Sequence, residues 1–168
     1  MSEGKVQIIC GEGIGKTSLA VGKGIGALIR LKSVIIIQFL KGNQEAEGLE
    51  TLKQLEPDFK IFRFEKSSAF FEDLSEEEKA EERMNIRNGL NFAKKVLTTG
   101  ECDLLILDEV LGALDQDIIT VEELRKLLES RDEEMDLILT GKRFPDSLKP
   151  YVDVITQINN VEVDNLHQ

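Results

Sequence analysis

Six short apolar runs set the strongest limit on the fold: Val6 to Cys10, Val34 to Phe39, Phe59 to Phe64, Leu104 to Leu107, Leu137 to Leu139 and Val152 to Ile155. Most are continuous rather than alternating, the pattern of strands covered on both faces in a parallel sheet. Helical spacing fills the intervals. Ile86, Leu90, Ala93 and Leu97 lie on one helix face. Ser75 with Glu78, and Thr120 with Glu123, have the spacing of capping boxes. Strands alternating with helices predict an α/β fold, three-layered, with a mainly parallel central sheet of about six strands. No repeat or linker divides the 168 residues, so a single domain over 1–168 is expected. The prolines at 57, 150 and 145 fit loops or helix starts. The stretch from Lys66 to Leu74, with Ser67, Ser68, Phe70 and Phe71, reads as a loop. Its two phenylalanines either fold back onto the core or wait for a ligand.

The charge count excludes several classes of function. Twenty-one basic against 32 acidic residues give a net charge of -11, which argues against nucleic acid or an anionic membrane as partner. Two cysteines, Cys10 and Cys102, make neither a four-thiolate zinc site nor a disulfide framework. The single histidine, His167, leaves no multi-histidine metal site or histidine triad. No apolar run reaches the ~18 residues of a membrane span, and residues 1 to 5 show no signal-peptide core. A soluble cytoplasmic protein is expected.

The segment Cys10-Gly11-Glu12-Gly13-Ile14-Gly15-Lys16-Thr17 follows the first apolar run and opens a helical stretch. Glycines let backbone N–H groups converge on an anion, and a helix N-terminus adds positive potential. Lys16 supplies a point charge for phosphate oxygens, and the Thr17 hydroxyl suits a magnesium ion. The phosphate loop is thus a nucleotide site formed by Gly11, Glu12, Gly13, Ile14, Gly15, Lys16, Thr17 and Ser18. It departs from the usual G-x-x-x-x-G-K-[ST] pattern in having Cys10 at the first glycine. The fold expected with it is P-loop NTPase-like. Leu104-Leu105-Ile106-Leu107-Asp108-Glu109 places two carboxylates at the end of a buried strand, where open α/β sheets bind ligands. One of them beside Thr17 completes a Mg²⁺ site. Glu109 also has the chemistry of a general base for water, and the sequence does not separate the two roles.

With these motifs placed, the chain from about Val6 to Thr156 resembles the bacterial ATP:corrinoid adenosyltransferases of the P-loop type. That family's loop also lacks the first glycine and reads Gly-x-Gly-Lys-Gly-Lys-Thr, close to Gly11 to Thr17. Gln38-Phe39-Leu40-Lys41-Gly42 matches its Gln-Phe-x-Lys-Gly. Leu107-Asp108-Glu109 with Ala113-Leu114, then Glu122-Glu123 before Leu127 and Arg131, and Leu139-Thr140-Gly141-Lys142, follow its later order. The resemblance implies attack by corrinoid Co(I) on C5′ of ATP, with transfer of the adenosyl group and departure of triphosphate. It implies Lys16 and Glu109 as catalytic residues and Thr17 and Glu109 as Mg²⁺ ligands, with Asp108 a further candidate. On the corrinoid side it implies Phe70, Phe71, Gln38 and Lys41. It also implies a reduced flavin or flavoprotein as electron source and a homodimer.

The sequence departs from the family at four places. Ile14 replaces a loop lysine, Gly26 a first-helix arginine and Lys142 an arginine, and Glu162 and Val163 stand where the family has Lys-His. The aromatic pattern differs too, since Glu72 stands two residues after Phe70 where the family has tryptophan. The alternative function is a P-loop ATPase or nucleotide-binding regulator, with a small-molecule kinase using Lys142 and Arg143 ranked below it. Gly22, Gly24 and Gly26, each costing roughly 1 kcal/mol in a helix, suggest close packing against sheet or partner. The charge itself is unevenly spread. Residues 1–66 carry 10 basic and 8 acidic side chains, net +2, and residues 67–168 carry 11 and 24, net -13. The acid belongs to the helices after Ser75 and Thr120, on faces expected to be solvated.

Overall fold

The computed structural model describes residues 3–39, 49–64 and 70–164. Lys41, Gly42, Ser67, Ser68 and His167 lie outside them. The six apolar runs become the strands β1 (Val6–Cys10), β2 (Val34–Gln38), β3 (Phe59–Arg63), β4 (Leu104–Asp108), β5 (Asp136–Thr140) and β6 (Val154–Gln157). They form one sheet of order β3-β2-β4-β5-β1-β6, and every recorded pairing is parallel.

The continuous apolar runs have a direct explanation. In each central strand alternate residues enter opposite cores. Val6, Ile8, Ile35, Ile37, Leu105, Leu107, Leu137 and Leu139 join one cluster, while Ile9, Val34, Ile36, Leu104, Ile106 and Ile138 join the other. The first core is closed by α2 (Glu76–Thr99), α3 (Val110–Asp115) and α4 (Val121–Glu129), and the second by α1 (Lys16–Ile29) with Leu52 and Leu55 of a 3-10 stretch. This is the three-layer arrangement that the alternation predicts. The edge strands differ: β6 is largely exposed, with Val154 and Ile155 on the surface.

Ile86, Ala93 and Leu97 of α2 are buried and Leu90 is half-buried, as the spacing predicts. Ser75 and Glu78 form a full capping box, and Gly100 ends the helix in the left-handed region. At α4 the Thr120 hydroxyl accepts the Glu123 N–H at 3.1 Å. Within the stretch read as a loop, Phe71–Asp73 forms a 3-10 turn. Pro150 lies inside another 3-10 turn, Asp146–Tyr151, rather than at its start.

The glycines of α1 divide. A Cβ at Gly24 would lie 3.0 Å from Phe59 and 3.3 Å from Ile106, so this glycine lets α1 sit close on the sheet. A Cβ at Gly22 or Gly26 would meet nothing of this chain within 4 Å, so these two do not pack on the sheet.

Parallel strands end together. The carboxyl ends of β1, β2, β3, β4 and β5 therefore bring Cys10, Gln38, Arg63, Asp108 and Thr140 to one edge. The register sets Gln38 opposite both Arg63 and Asp108, and Ile9 opposite Thr140.

Candidate nucleotide site

The turn from β1 into α1 is built by a left-handed Gly15, φ 106°, at the helix N-cap. Leu19 is the first residue to bond back into the helix, its N–H donating to Gly15 O at 2.9 Å. The N–H groups of a helix's first turn point toward its N-terminal end, the arrangement that binds anions. Lys16 is buried and its Nζ donates to Gly13 O at 2.8 Å. The Ile14 side chain stands at the loop tip, 76% exposed.

Glycine at positions 11 and 13 has a different reason from the one the sequence suggests. Gly11 N–H donates to Lys142 O at 2.9 Å and Gly13 N–H to Ile158 O at 2.9 Å. Ile14 N–H is directed at Asn160 Oδ1, 3.4 Å away. A Cβ on Gly11 would collide with Ile158 O, and one on Gly13 would lie 2.8 Å from it. These glycines let the chain leaving β6 press against the loop, and their N–H groups brace it rather than face a ligand.

Asp108 is the centre of a buried polar cluster. Thr17 Oγ1 donates to Asp108 Oδ1 at 2.9 Å, Thr140 Oγ1 to the same oxygen at 2.8 Å, and Gln38 Nε2 to Oδ2 at 3.2 Å. Arg63 Nε in turn donates to Gln38 Oε1 at 2.8 Å. A row of polar side chains thus crosses the sheet edge from β3 to β5. Gln38, expected on the corrinoid side, is 2% exposed, its amide held between Arg63 and Asp108. Of the two acidic residues, Asp108 meets Thr17. Glu109 takes a left-handed backbone, φ 62°, and its N–H donates to Thr140 Oγ1 at 2.8 Å. That turn sends Glu109 out of the strand line and onto the wall of a cavity.

The cavity measures about 470 Å³. The phosphate loop forms one wall, from Glu12 to Lys16, and Lys142 and Arg143 after β5 adjoin it. Phe70, Phe71 and Glu72, with Asp115 and Gln116 from the end of α3, complete the lining. The two phenylalanines have separate fates. Phe71 is half-buried against the core, with Lys79 Nζ 5.8 Å and the Arg83 guanidinium 5.5 Å from its ring centre. Phe70 is 55% exposed.

Burial, reinforced by the Asp108 charge, pushes the Glu109 carboxyl from 4.5 up to about 7, against the pull of Lys16 and Lys142. Burial also raises Asp115, opposed by Arg143 and Lys142. Cys10, at the loop's start, is a buried thiol raised by desolvation and lowered in part by Lys16.

Sequence reasoning gave no role to Thr140, Gln116, Asp115 or Asn160. Thr140 had a usable signal: it ends an apolar run and precedes a glycine, as Asp108 ends another. Gly141 is also required by space, because a Cβ there would strike Leu111. The other three carry no pattern a single sequence reveals. Among the described residues no helix is long and apolar enough to cross a membrane.

A parallel sheet with a phosphate loop after its first strand and an acidic strand end two strands away defines a P-loop NTPase-like α/β protein. The family model for ATP:corrinoid adenosyltransferase BtuR/CobO/CobP matches residues 2–164, and the chain belongs to that family. ATP and a corrinoid are the substrates of such enzymes. The chain is similar to the corrinoid adenosyltransferase of Escherichia coli strain K12, 24% identical over 95% of this chain and 78% of that protein. It is 25% identical to corrinoid adenosyltransferase CobA of Salmonella typhimurium, over the same shares. It is also 26% identical to an uncharacterized protein of Nostoc, over 92% of this chain and 43% of that longer one.

Proposed function

We propose that this chain, acting as one nucleotide-binding domain, transfers the 5′-deoxyadenosyl group of ATP to corrinoid Co(I) and releases triphosphate. The observation that carries it is the contact of Thr17 with Asp108 next to Lys16, which lines a cavity also lined by the exposed Phe70. The electron pair of Co(I) forms the Co–C5′ bond, and the C5′–O bond breaks with its pair leaving on triphosphate. The protein's task is to hold that leaving charge. Lys16 and the first-turn N–H groups of α1 do so from the loop, with Lys142 and Arg143 lining the same cavity. No proton need be removed from the nucleophile, which suits a site without histidine.

The oxygen donors fit Mg²⁺. Thr17 Oγ1 and Asp108 Oδ1 are hard ligands 2.9 Å apart, and Mg²⁺ takes few protein oxygens and fills its shell with phosphate and water. Thr17 and Asp108 would hold the ion, with Glu109 on the adjoining wall, and it would neutralise charge on the departing triphosphate. Phe70 faces the corrinoid. A reduced flavin or flavoprotein supplies electrons for Co(II), and the enzyme works in the cytoplasm as a homodimer.

A second reading has a specific observation behind it. A carboxyl with its pKa near 7 on the cavity wall, Glu109, suits a base that activates water. Product analysis separates the two. With Mg-ATP and chemically reduced corrinoid, triphosphate and adenosylated cobalt are expected. Orthophosphate released without any dependence on corrinoid would sink the transfer reading in favour of hydrolysis.

A further inference from the structure

The strand ends on either side of β2 are locked in register with it. Gln38 lies opposite Arg63 of β3 and Asp108 of β4. Phe64 N–H donates to Gln38 O at 3.2 Å, and Phe39 N–H to Asp108 O at 3.0 Å, so the backbone is fixed on both sides of Gln38. The Gln38 and Asp108 side chains are both buried, and buried polar groups are held by their hydrogen-bond partners.

Asp108 is held at two points. The Thr17 and Thr140 hydroxyls donate to Oδ1, and the Gln38 amide donates to Oδ2. A hydroxyl turns to donate or accept as its neighbours require, but an amide has one donating end and one accepting end. Arg63 can only donate, and a carboxylate can only accept. The Arg63 Nε–H takes Gln38 Oε1 at 2.8 Å, which leaves Nε2 for Asp108 at 3.2 Å. With the amide reversed, two oxygens would face each other across that gap. A donor on β3 thus sets the group on β2 that steadies the carboxylate on β4. Neither Arg63 nor Gln38 is among the described residues lining the cavity, and both reach the site by way of Asp108.

We propose that Arg63, acting through Gln38, is a positioning residue for the magnesium edge: it fixes the amide that keeps Asp108 Oδ1 against Thr17. This deepens the reading that Thr17 and Asp108 hold Mg²⁺ and rests on it. An outer partner that orients a metal-binding group is typically worth about 10–100-fold in metal affinity. The sign of the effect separates two roles. As a bare positive charge Arg63 would repel Mg²⁺, and its removal would tighten metal binding. As a positioning residue it supports the ion, and its removal weakens binding.

The test uses the full chain and reads the factor by which Mg²⁺ tightens ATP binding, from calorimetric Kd values in chelator and in Mg²⁺. Arg63→Met removes the donor and the charge and keeps an unbranched side chain. It is expected to lower that factor at least ~5-fold. Gln38→Leu lowers it by a similar amount, and the double variant falls no further than either single one, because Arg63 acts through Gln38. An unchanged or larger factor in Arg63→Met overturns the proposal, as does an additive loss in the double variant. So does a loss of ATP affinity in chelator equal to that in Mg²⁺, which would place the damage in the phosphate loop. If Mg²⁺ does not tighten ATP binding to the native protein, the magnesium reading itself fails, and with it this inference. A native Mg²⁺ dependence that survives in both single variants overturns the positioning role alone.

Discussion

Glu109 gives the structure a measurable dependence on pH. Its carboxyl titrates at 4.5 in the unfolded chain and at about 7 in the folded one, because burial and the Asp108 charge disfavour its ionised form. Between those values the folded chain binds more protons than the unfolded chain, so raising the pH removes stability. The contribution is complete below 4.5 and is lost as the pH rises through 7. At about 1.4 kcal/mol per pH unit the full difference is about 3 kcal/mol, an upper figure because water reaches the cavity wall. Glu109→Gln has no such titration. Urea unfolding of the two proteins, in chelator and without nucleotide, is expected to give similar midpoints near pH 5. By pH 8 the variant should be more stable, with its midpoint higher by up to about 1.5 M at an m-value of ~2 kcal/mol/M. A separation that stays constant from pH 5 to pH 8 would refute the argument, since other carboxyls titrate equally in both proteins.

Three further outcomes are expected. Lys16→Ala should abolish ATP binding measured by calorimetry while leaving the circular dichroism spectrum unchanged, and normal binding would remove Lys16 from the site. Gly22→Ala and Gly26→Ala should each stabilise the protein by about 0.5–1 kcal/mol, because an open helix position gains propensity. Gly24→Ala should gain nothing or lose stability against Phe59 and Ile106. Thr140→Val, near in shape, removes the acceptor of the Glu109 N–H and a donor to Asp108. It should cost about 1–3 kcal/mol in denaturant unfolding, and a loss below the error of that measurement would show that the bridge contributes nothing.

The sequence by itself determined the layers, the strands and the phosphate loop. Continuous apolar runs require cover on both faces, and that requirement is local enough to read from six segments. Val6–Cys10 matches β1 to the residue, and the start of α2 follows from Ser75 and Glu78. The loop was legible because glycine, lysine and threonine at a strand–helix junction have few other uses. What glycine does at 11 and 13, however, depends on the chain leaving β6, which lies nearly 150 residues away. The choice between Asp108 and Glu109 as partner of Thr17 was equally out of reach. Adjacent residues of an extended strand point to opposite sides, and only the left-handed turn at Glu109 together with the Thr140 bridge sends one carboxylate inward and the other onto the cavity wall. The same holds for Gln38, whose register between Arg63 and Asp108 commits its amide to the sheet edge. Motifs state which chemistry is available. The strand order, by bringing distant strand ends to one edge, decides which groups meet.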